Sequence, residues 1–213
     1  MGHDISVCRL SARLLLAAAT VACSSPEPES SEASHAEQAL VGVASATLRD
    51  AGGAFVGNVL LAAAPGGMLV TVNARLPASA SSNGIHGFHV HANDNPANGT
   101  GCVADPAQPA NTHFVSADGH YNPDGATHGD HAGDMPALFF TEAGRAAMSF
   151  LFDSFTPDEV RGRAVILHQA PDNYGNIPVG PAPNQYTPNA PEATTLTQNT
   201  GNAGNRVACG VIR

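Results

Sequence analysis

Short runs of apolar residues follow one another along the chain from residue 40 to the C-terminus. In the first run, small and apolar residues alternate with Ser45 and Thr47, which is the two-residue period of a strand with one buried face. Gly, Pro, Asn or Asp stands in nearly every gap, where tight turns require these residues. The pattern predicts an all-β fold, an antiparallel sandwich or barrel of short strands. The eight runs cover residues 40–48, 54–61, 68–76, 84–91, 137–141, 145–152, 162–168 and 206–212.

Two of the connections between these runs are too long to be plain turns. They extend from about residue 92 to 136 and from about 169 to 205. Long ordered loops in a compact domain are usually functional, so we expect the site of this protein to lie there.

The N-terminus has the composition of a secretion signal rather than of a folded element. Arg9 and Arg13 precede an apolar run over residues 14–22, which is too short for a membrane span of about 20 residues. The stretch Thr-Val-Ala-Cys that ends at Cys23 resembles a bacterial lipoprotein cleavage box, which predicts a lipid anchor on Cys23. Ordinary signal cleavage, with Cys23 incidental, is the alternative.

The domain organisation predicted from this pattern has three parts. Residues 1–22 form the signal peptide, and residues 23–38, rich in Ser, Pro and Glu, form a disordered tether. Residues 39–213 form the folded domain. The mature protein is therefore expected outside the cytoplasm, in the periplasm or anchored to a membrane.

Composition and charge exclude several classes of protein. The 22 Gly and 16 Pro argue against a helical bundle, and only 13 % of residues are charged. The net charge is −9, and none of the nine basic residues is Lys, so the chain lacks the basic face of a nucleic-acid-binding protein. Removal of residues 1–22 takes away two Arg and one Asp and leaves a charge of −10.

Histidine is abundant and clustered, which points to metal chemistry. Eight of the 10 His lie between His86 and His168. His89 and His91 are two residues apart in a strand-like run, so both imidazoles face the same side. His120, His128 and His131 follow, and Asp134 closes the group. Imidazole suits copper and zinc, and three His with one carboxylate suit tetrahedral zinc.

Four motifs in order along the chain resemble those of the copper/zinc superoxide dismutase family. They are GFHVH at 87–91, GHYNP at 119–123, HAGD at 131–134 and GNAGNRVACG at 201–210. The resemblance extends over about residues 39–213. It implies an eight-stranded, immunoglobulin-like Greek-key sandwich or barrel with copper and zinc held under the two long loops.

The resemblance also implies a ligand set for each metal, with His120 as the ligand that bridges the two. The implied copper ligands are His89, His91, His120 and His168. The implied zinc ligands are His120, His128, His131 and Asp134.

Further roles follow from the same resemblance. Arg206 matches the arginine beside the copper that attracts the superoxide anion, and Thr200 matches a residue that narrows the channel. Asp172 matches a carboxylate that links ligands of the two metals and fixes their rings; a solvated loop residue is the alternative. Cys102 and Cys209 match the intrasubunit disulfide, which an oxidising compartment permits.

Two histidines are not expected to bind metal. His86 matches a structural histidine of the family and should be a hydrogen-bonded core residue. His113 matches no ligand and is expected to be a solvated loop side chain.

The implied activity is the dismutation of superoxide to oxygen and hydrogen peroxide, with copper and zinc as cofactors and superoxide as the small-molecule partner. A periplasmic copper/zinc buffer on the same scaffold is the alternative, and a structural or adhesion domain with vestigial sites is a more distant one. The presence of Arg206 favours the enzyme, because a buffer has no need of an anion guide. Monomer and homodimer are both compatible with the sequence.

Overall fold

The computed structural model describes residues 42–80, 83–175 and 193–213, and within these ranges the chain is mostly strands. Residues Leu40–Arg213 belong to one compact unit. The strands are β1 Val43–Arg49, β2 Phe55–Ala64, β3 Gly67–Arg75, β4 Gly84–His86, β5 Phe88–His91, β6 Leu138–Phe140, β7 Arg145–Phe152, β8 Ala164–His168 and β9 Arg206–Val211. The helices are α1 Pro157–Val160 and α2 Ala193–Thr200.

The strands form two antiparallel sheets that together close a barrel. Seven strands pair in the order β5-β8-β9-β1-β2-β3-β7, and β4 pairs with β6. The Phe139 N–H of β6 donates to the sulfur of Met148 in β7, and β4 leads directly into β5, so the sheets meet at both ends. The pairings of β9 with β1 and of β3 with β7 join strands far apart in sequence. The predicted all-β Greek-key fold is confirmed.

The two-residue period seen in the sequence places the core. In β1, Ala44, Ala46 and Leu48 are buried while their neighbours are exposed, and β3 buries Met68 and Val70 in the same way. These side chains belong to one hydrophobic cluster that fills the barrel. Burial of apolar surface is the main favourable term in the stability of such a core.

Strands β5 and β8 differ from the others because every residue in them is buried. Phe88 and Val90 of β5 face the barrel core, so His89 and His91 project to the other side of the sheet. The long loops cover that side: Ile166 of β8 packs there with Phe114 of the first long loop. The loops therefore enclose a second buried layer, and the histidines of β5 lie in it.

The run at residues 84–91 was expected to be a single strand, and this expectation is wrong. The strand is interrupted at Gly87, so that β4 belongs to the two-stranded sheet and β5 to the seven-stranded sheet. A Cβ at Gly87 would stand 2.8 Å from the Cβ of Ala203 and 3.0 Å from His89 Cε1. The eight predicted strands thus become nine because one run crosses from one sheet to the other.

The second long connection contains a helix that the sequence pattern did not predict. Residues 193–200 form α2, within the segment expected to be a loop. The short helix α1 was missed as well; its start is capped by Thr156 and Glu159, whose side chain accepts from the Thr156 N–H at 2.7 Å.

The predicted signal peptide, the tether and Cys23 all lie outside the described residues. Among the residues that are described, no helix has the length and apolar character required to cross a membrane.

Candidate metal centre

Two strands and one loop bring four histidines together on the covered side of the sheet. His89 and His91 lie opposite Ile166 and Ala164 of β8, and His168 ends that strand. His120 follows the short helical turn Val115–Ala117 and forms an isolated β-bridge with His91. One ligand atom from each of the four rings lies within 4.8 Å of the others. We call these four side chains the first cluster.

A second cluster is formed by His120, His128, His131 and Asp134, whose ligand atoms also lie within 4.8 Å of one another. Asp134 Oδ1 is 2.7 Å from His120 Nδ1, and Asp134 Oδ2 is 3.2 Å from His128 Nδ1 and 3.3 Å from His131 Nδ1. His131 Nδ1 is 3.4 Å from His120 Nδ1. Ligands of a tetrahedral zinc ion with bonds of about 2.0–2.1 Å are about 3.3–3.4 Å apart. The second cluster therefore has nearly the spacing of a zinc site.

His120 belongs to both clusters, and its two ring nitrogens have different surroundings. Nδ1 lies against Asp134 in the second cluster. Nε2 is buried and has no hydrogen-bond partner in the described part of the chain; the same holds for His89 Nδ1 and His128 Nδ1. Buried polar atoms are normally hydrogen-bonded, so these three nitrogens are in need of a ligand. Copper and zinc ions would satisfy them, and the donor set fits both metals.

Asp172 links the two clusters by bonding to the ring nitrogens of His89 and His128 that face away from them. Its Oδ2 accepts from His89 Nε2 at 2.5 Å and its Oδ1 accepts from His128 Nε2 at 2.8 Å. The Tyr174 N–H donates to the same Oδ1 at 2.7 Å. Both rings are thereby turned so that Nδ1, the unpartnered atom, faces its cluster. The alternative of a solvated loop aspartate is wrong, because the Asp172 side chain is only 1 % exposed.

Gly201 is a residue of this centre that sequence reasoning missed. It lies just after α2, with φ +60°, and a Cβ there would overlap Asp172 Oδ1 and His128 Nε2. Gly201 opens the motif at 201–210, but the motif does not show this contact, because Asp172 and His128 lie far away along the chain.

The protonation states of most side chains in the centre favour metal binding. Burial lowers the pKa of His91 and of His168 well below the ordinary value, and burial lowers the pKa of His120 to about 4. Burial opposes ionisation of Asp134 and Asp172 too, but the hydrogen bonds from the histidines outweigh it and hold both carboxyl pKa values far below the usual range. Neutral imidazoles and ionised carboxylates are the ligand forms.

His128 is the exception among these rings. Burial lowers its pKa, but the negative charges of Asp134 and Asp172, the second hydrogen-bonded to Nε2, overcome that effect and raise the pKa to about 9. Without metal this ring is therefore a cation held between two anions.

Arg206 begins β9 beside the first cluster. Its guanidinium donates to the carbonyl oxygens of Phe114 and Asp118. Burial lowers its pKa to about 10, so it keeps its charge at neutral pH. Arg206 and His91 both donate to the Asp118 carbonyl, and the charge of Arg206 adds to the effect of burial in lowering the pKa of His91 and of His168.

The predicted disulfide is confirmed. Cys102 and Cys209 are bonded, with their Cα atoms 5.5 Å apart. The bond ties the first long loop to β9, three residues from Arg206.

The two other histidines within the described ranges lie outside both clusters. His86 is buried and donates through Nδ1 to the His168 carbonyl at 3.0 Å, as a structural core residue would. His113 was expected to be solvated, but its Nε2 donates to the carbonyls of Asp105 and Gln108 at 3.0 and 3.1 Å. His113 thus cross-links two parts of the first long loop.

A cavity of about 680 Å³ opens over His120 and His131, and Gln198, Asn199 and Thr200 of α2 form part of its wall. The Thr200 hydroxyl donates to the Leu196 carbonyl of its own helix. The helix thus presents uncharged polar side chains to the mouth of the centre.

Comparison with known proteins identifies the family. The sequence profile described as copper/zinc superoxide dismutase matches residues 56–212. Proteins named superoxide dismutase [Cu-Zn] from Mycobacterium bovis and Mycobacterium tuberculosis are each 38 % identical over 140 residues, which is 61 % of this chain and 53 % of theirs. The chain thus spans about half the length of these curated relatives.

Comparison with solved structures points to the same family. The Cu/Zn superoxide dismutase from Brucella abortus has a TM-score of 0.56 and 26 % identity, over 80 % of this chain and 99 % of that one. The clock protein EA4 has a TM-score of 0.57 and 26 % identity, over 80 % and 93 %. From the sequence match, the fold and the two histidine clusters together, the chain belongs to the copper/zinc superoxide dismutase family.

Proposed function

We propose that this chain dismutates superoxide to oxygen and hydrogen peroxide at a copper centre that His120 joins to a structural zinc. The observation that carries the proposal is the position of the His120 ring. Its Nδ1 lies 2.7 Å from Asp134 in the second cluster, while its Nε2 is buried among the histidines of the first. One ring is thus shared between two sites of different donor type.

The donor types support one assignment of metals. The four imidazoles of the first cluster suit copper, and the three imidazoles and one carboxylate of the second suit zinc. The proposed copper ligands are His89, His91, His120 and His168, and the proposed zinc ligands are His120, His128, His131 and Asp134. When bound, copper would accept an electron from one superoxide and return it to another, while zinc has no redox chemistry of its own.

Protein groups supply the substrate site and the proton. The charge of Arg206 attracts the anion, and the carbonyls of Phe114 and Asp118 hold its guanidinium in place. The Nε2 of His120 is the atom that takes up and releases a proton, since Nδ1 is committed to the second cluster. Asp172 keeps His89 and His128 in orientation, and Thr200 narrows the approach from the cavity.

Metal content and superoxide consumption measured on one purified sample test the proposal. We expect about one copper and one zinc per chain, from the two ligand sets, together with rapid consumption of superoxide. Treatment with a chelator should abolish consumption, and restoring copper and zinc should recover it. Full occupancy by both metals without turnover would contradict the proposal and is what a metal buffer would show.

For the location we propose export through the signal at residues 1–22 and a lipid anchor on Cys23, followed by the tether at 23–38. The support is the order of Arg-containing start, apolar run and small residues before Cys23. The full precursor should fractionate with membranes, and Cys23→Ala should release it into the periplasm. An unchanged membrane fraction for Cys23→Ala contradicts the anchor.

For the assembly we propose a homodimer. Ile85 and Phe139 face each other across β4 and β6 and are 51 % and 56 % exposed, so that a second copy would remove them from water. Sedimentation should give the mass of two chains, and Phe139→Ser should shift it toward one. A wild-type mass of one chain contradicts this assembly.

A further inference from the structure

Asp118 has a backbone conformation that residues other than glycine rarely adopt. Its φ is +64° and its ψ is −161°, a region that is essentially restricted to Gly. Such a conformation persists only where the surroundings enforce it. Asp118 lies two residues before His120, so the strain is located at the metal centre.

Hydrogen bonds of the Asp118 side chain hold the backbone in this conformation. Its Oδ2 accepts from the backbone N–H groups of Asp94 and Asn95 at 2.9 and 3.0 Å. Its Oδ1 accepts from the side-chain amide of Asn98. Three donors from one short segment thus converge on one carboxylate, and hydrogen bonds to a charged acceptor are the stronger kind.

The carbonyl oxygen of the same residue faces the centre. It accepts from His91 Nδ1 at 2.8 Å and from the guanidinium of Arg206. With its proton on Nδ1, His91 presents Nε2 to the first cluster, where it lies 3.4 Å from His168 Nε2. One backbone oxygen therefore orients both a proposed copper ligand and the proposed anion guide.

We propose that Asp118 is a positioning residue: its carboxylate, held by the segment Asp94–Asn98, keeps its strained carbonyl where it orients His91 and Arg206 together. This inference rests on the proposed function of those two residues. Glycine at position 118 would adopt the same backbone angles but would lack the carboxylate. Alanine would lack the carboxylate and would also carry the strain.

Substitutions that remove or keep the carboxylate contacts test this role. Asp118→Ala and Asp118→Gly should each bind Cu(II) about 10-fold more weakly than the wild type. Both should alter the electron paramagnetic resonance spectrum of bound Cu(II) and weaken the affinity for azide, a small anion used here as the probe of Arg206. In steady-state kinetics KM should rise more than kcat falls. Asp118→Asn keeps an acceptor for the segment and should restore all of these properties most of the way.

A matched control is available in the same loop. The Asp94 carboxylate lies 3.5 Å from Arg163 and is 68 % exposed, and its replacement in Asp94→Asn leaves the backbone N–H that Asp118 uses. This variant removes one negative charge near Asp118 and should behave as the wild type. Co(II) bound by the second cluster should give the same absorption in every variant, which shows that the fold is intact.

The outcomes separate this inference from the proposed function. Without metal, amide hydrogen exchange at Asp94 and Asn95 should be faster in Asp118→Gly than in the wild type, which measures the carboxylate contacts alone. Wild-type copper affinity, spectrum and azide affinity in both Asp118→Ala and Asp118→Gly would overturn the positioning role. Failure of the wild type itself to bind copper would instead overturn the proposed function.

Discussion

Asp134 Oδ1 lies 2.7 Å from His120 Nδ1, on the side of the imidazole away from its unpartnered Nε2. The two side chains are buried, each with about 1 % of its surface exposed. This contact assigns one nitrogen of the ring to each cluster, and the first prediction follows from it.

His120→Ala should lower the occupancy of both metals, because one ring serves two ligand sets. Loss of such a ligand should weaken metal binding at least as much as loss of a supporting partner, which costs about 10–100-fold in affinity. Elemental analysis after dialysis measures the effect, with His113→Ala as the control, since the hydrogen bonds of His113 to described residues stay within its own loop. Full occupancy by both metals in His120→Ala would rule out the shared ring.

Asp172→Ala should weaken both sites as well, although Asp172 belongs to neither proposed ligand set. Its loss leaves His89 and His128 without the acceptor that orients their rings, and we expect an effect of about 10–100-fold on metal affinity. Competition with a chelator measures each metal separately. This prediction would be contradicted if Asp172→Ala bound only one of the two metals more weakly than the wild type, or neither of them.

Gly201→Ala should disturb zinc binding more than its backbone strain alone explains. The new Cβ would overlap Asp172 and His128. Gly162 has a similar positive φ, +83°, but a Cβ there would meet no atom of the described residues within 4 Å, so Gly162→Ala is the matched control. Both variants carry a strain of about 1–3 kcal/mol. Only Gly201→Ala should lose zinc affinity. Equal zinc affinity in the two variants would show that the Asp172–His128 contact can shift without consequence.

Cys102→Ser should lower the free energy of unfolding and loosen the first long loop. The bond joins residues separated by 107 positions, and closing a loop of that size stabilises the folded state by about 4–5 kcal/mol in the chain-entropy model. Thermal unfolding of the variant, compared with the oxidised wild type, measures the loss, and the wild type under reducing conditions should unfold like the variant. Mass mapping that finds Cys102 and Cys209 as free thiols in the oxidised wild type would contradict the premise.

Added salt should leave kcat/KM unchanged or raise it slightly between low and physiological ionic strength. The chain after residue 22 carries a charge of −10 and so repels superoxide at long range, while Arg206 attracts it at short range. A Debye length of about 8 Å screens the distant charges more than the near one.

Arg206→Ala should lower kcat/KM about 10-fold or more at every salt concentration. Arg145→Ala is the control, because Arg145 lies on β7, outside the metal centre. A steep fall of the wild-type rate with salt would reveal an attractive field that the sequence does not contain, and an undiminished rate in Arg206→Ala would remove the guide role.

Much of the fold could be predicted from the sequence because each strand of a barrel has one buried face. Ala44, Ala46 and Leu48 show that face directly in their spacing. The change of sheet at Gly87 could not be read in this way, since the close neighbour of Gly87, Ala203, lies more than a hundred residues later in the chain. The helix α2 was missed because polar residues such as Gln198 and Asn199 have no apolar period.

For the metal centre, the sequence by itself determined which side chains are available: the HxH pair of β5, the later histidines and Asp134. Their residue types and their likeness to a known family predict copper and zinc without coordinates. Only the tertiary structure decided which nitrogen of the His89, His120 and His128 rings faces a cluster, and that the Asp172 side chain is buried rather than solvated. It also decided that the Asp118 carbonyl joins His91 to Arg206. The physical reason is that ring orientation depends on hydrogen bonds between residues distant in sequence, and periodicity along the chain records only which face of its own strand a residue occupies.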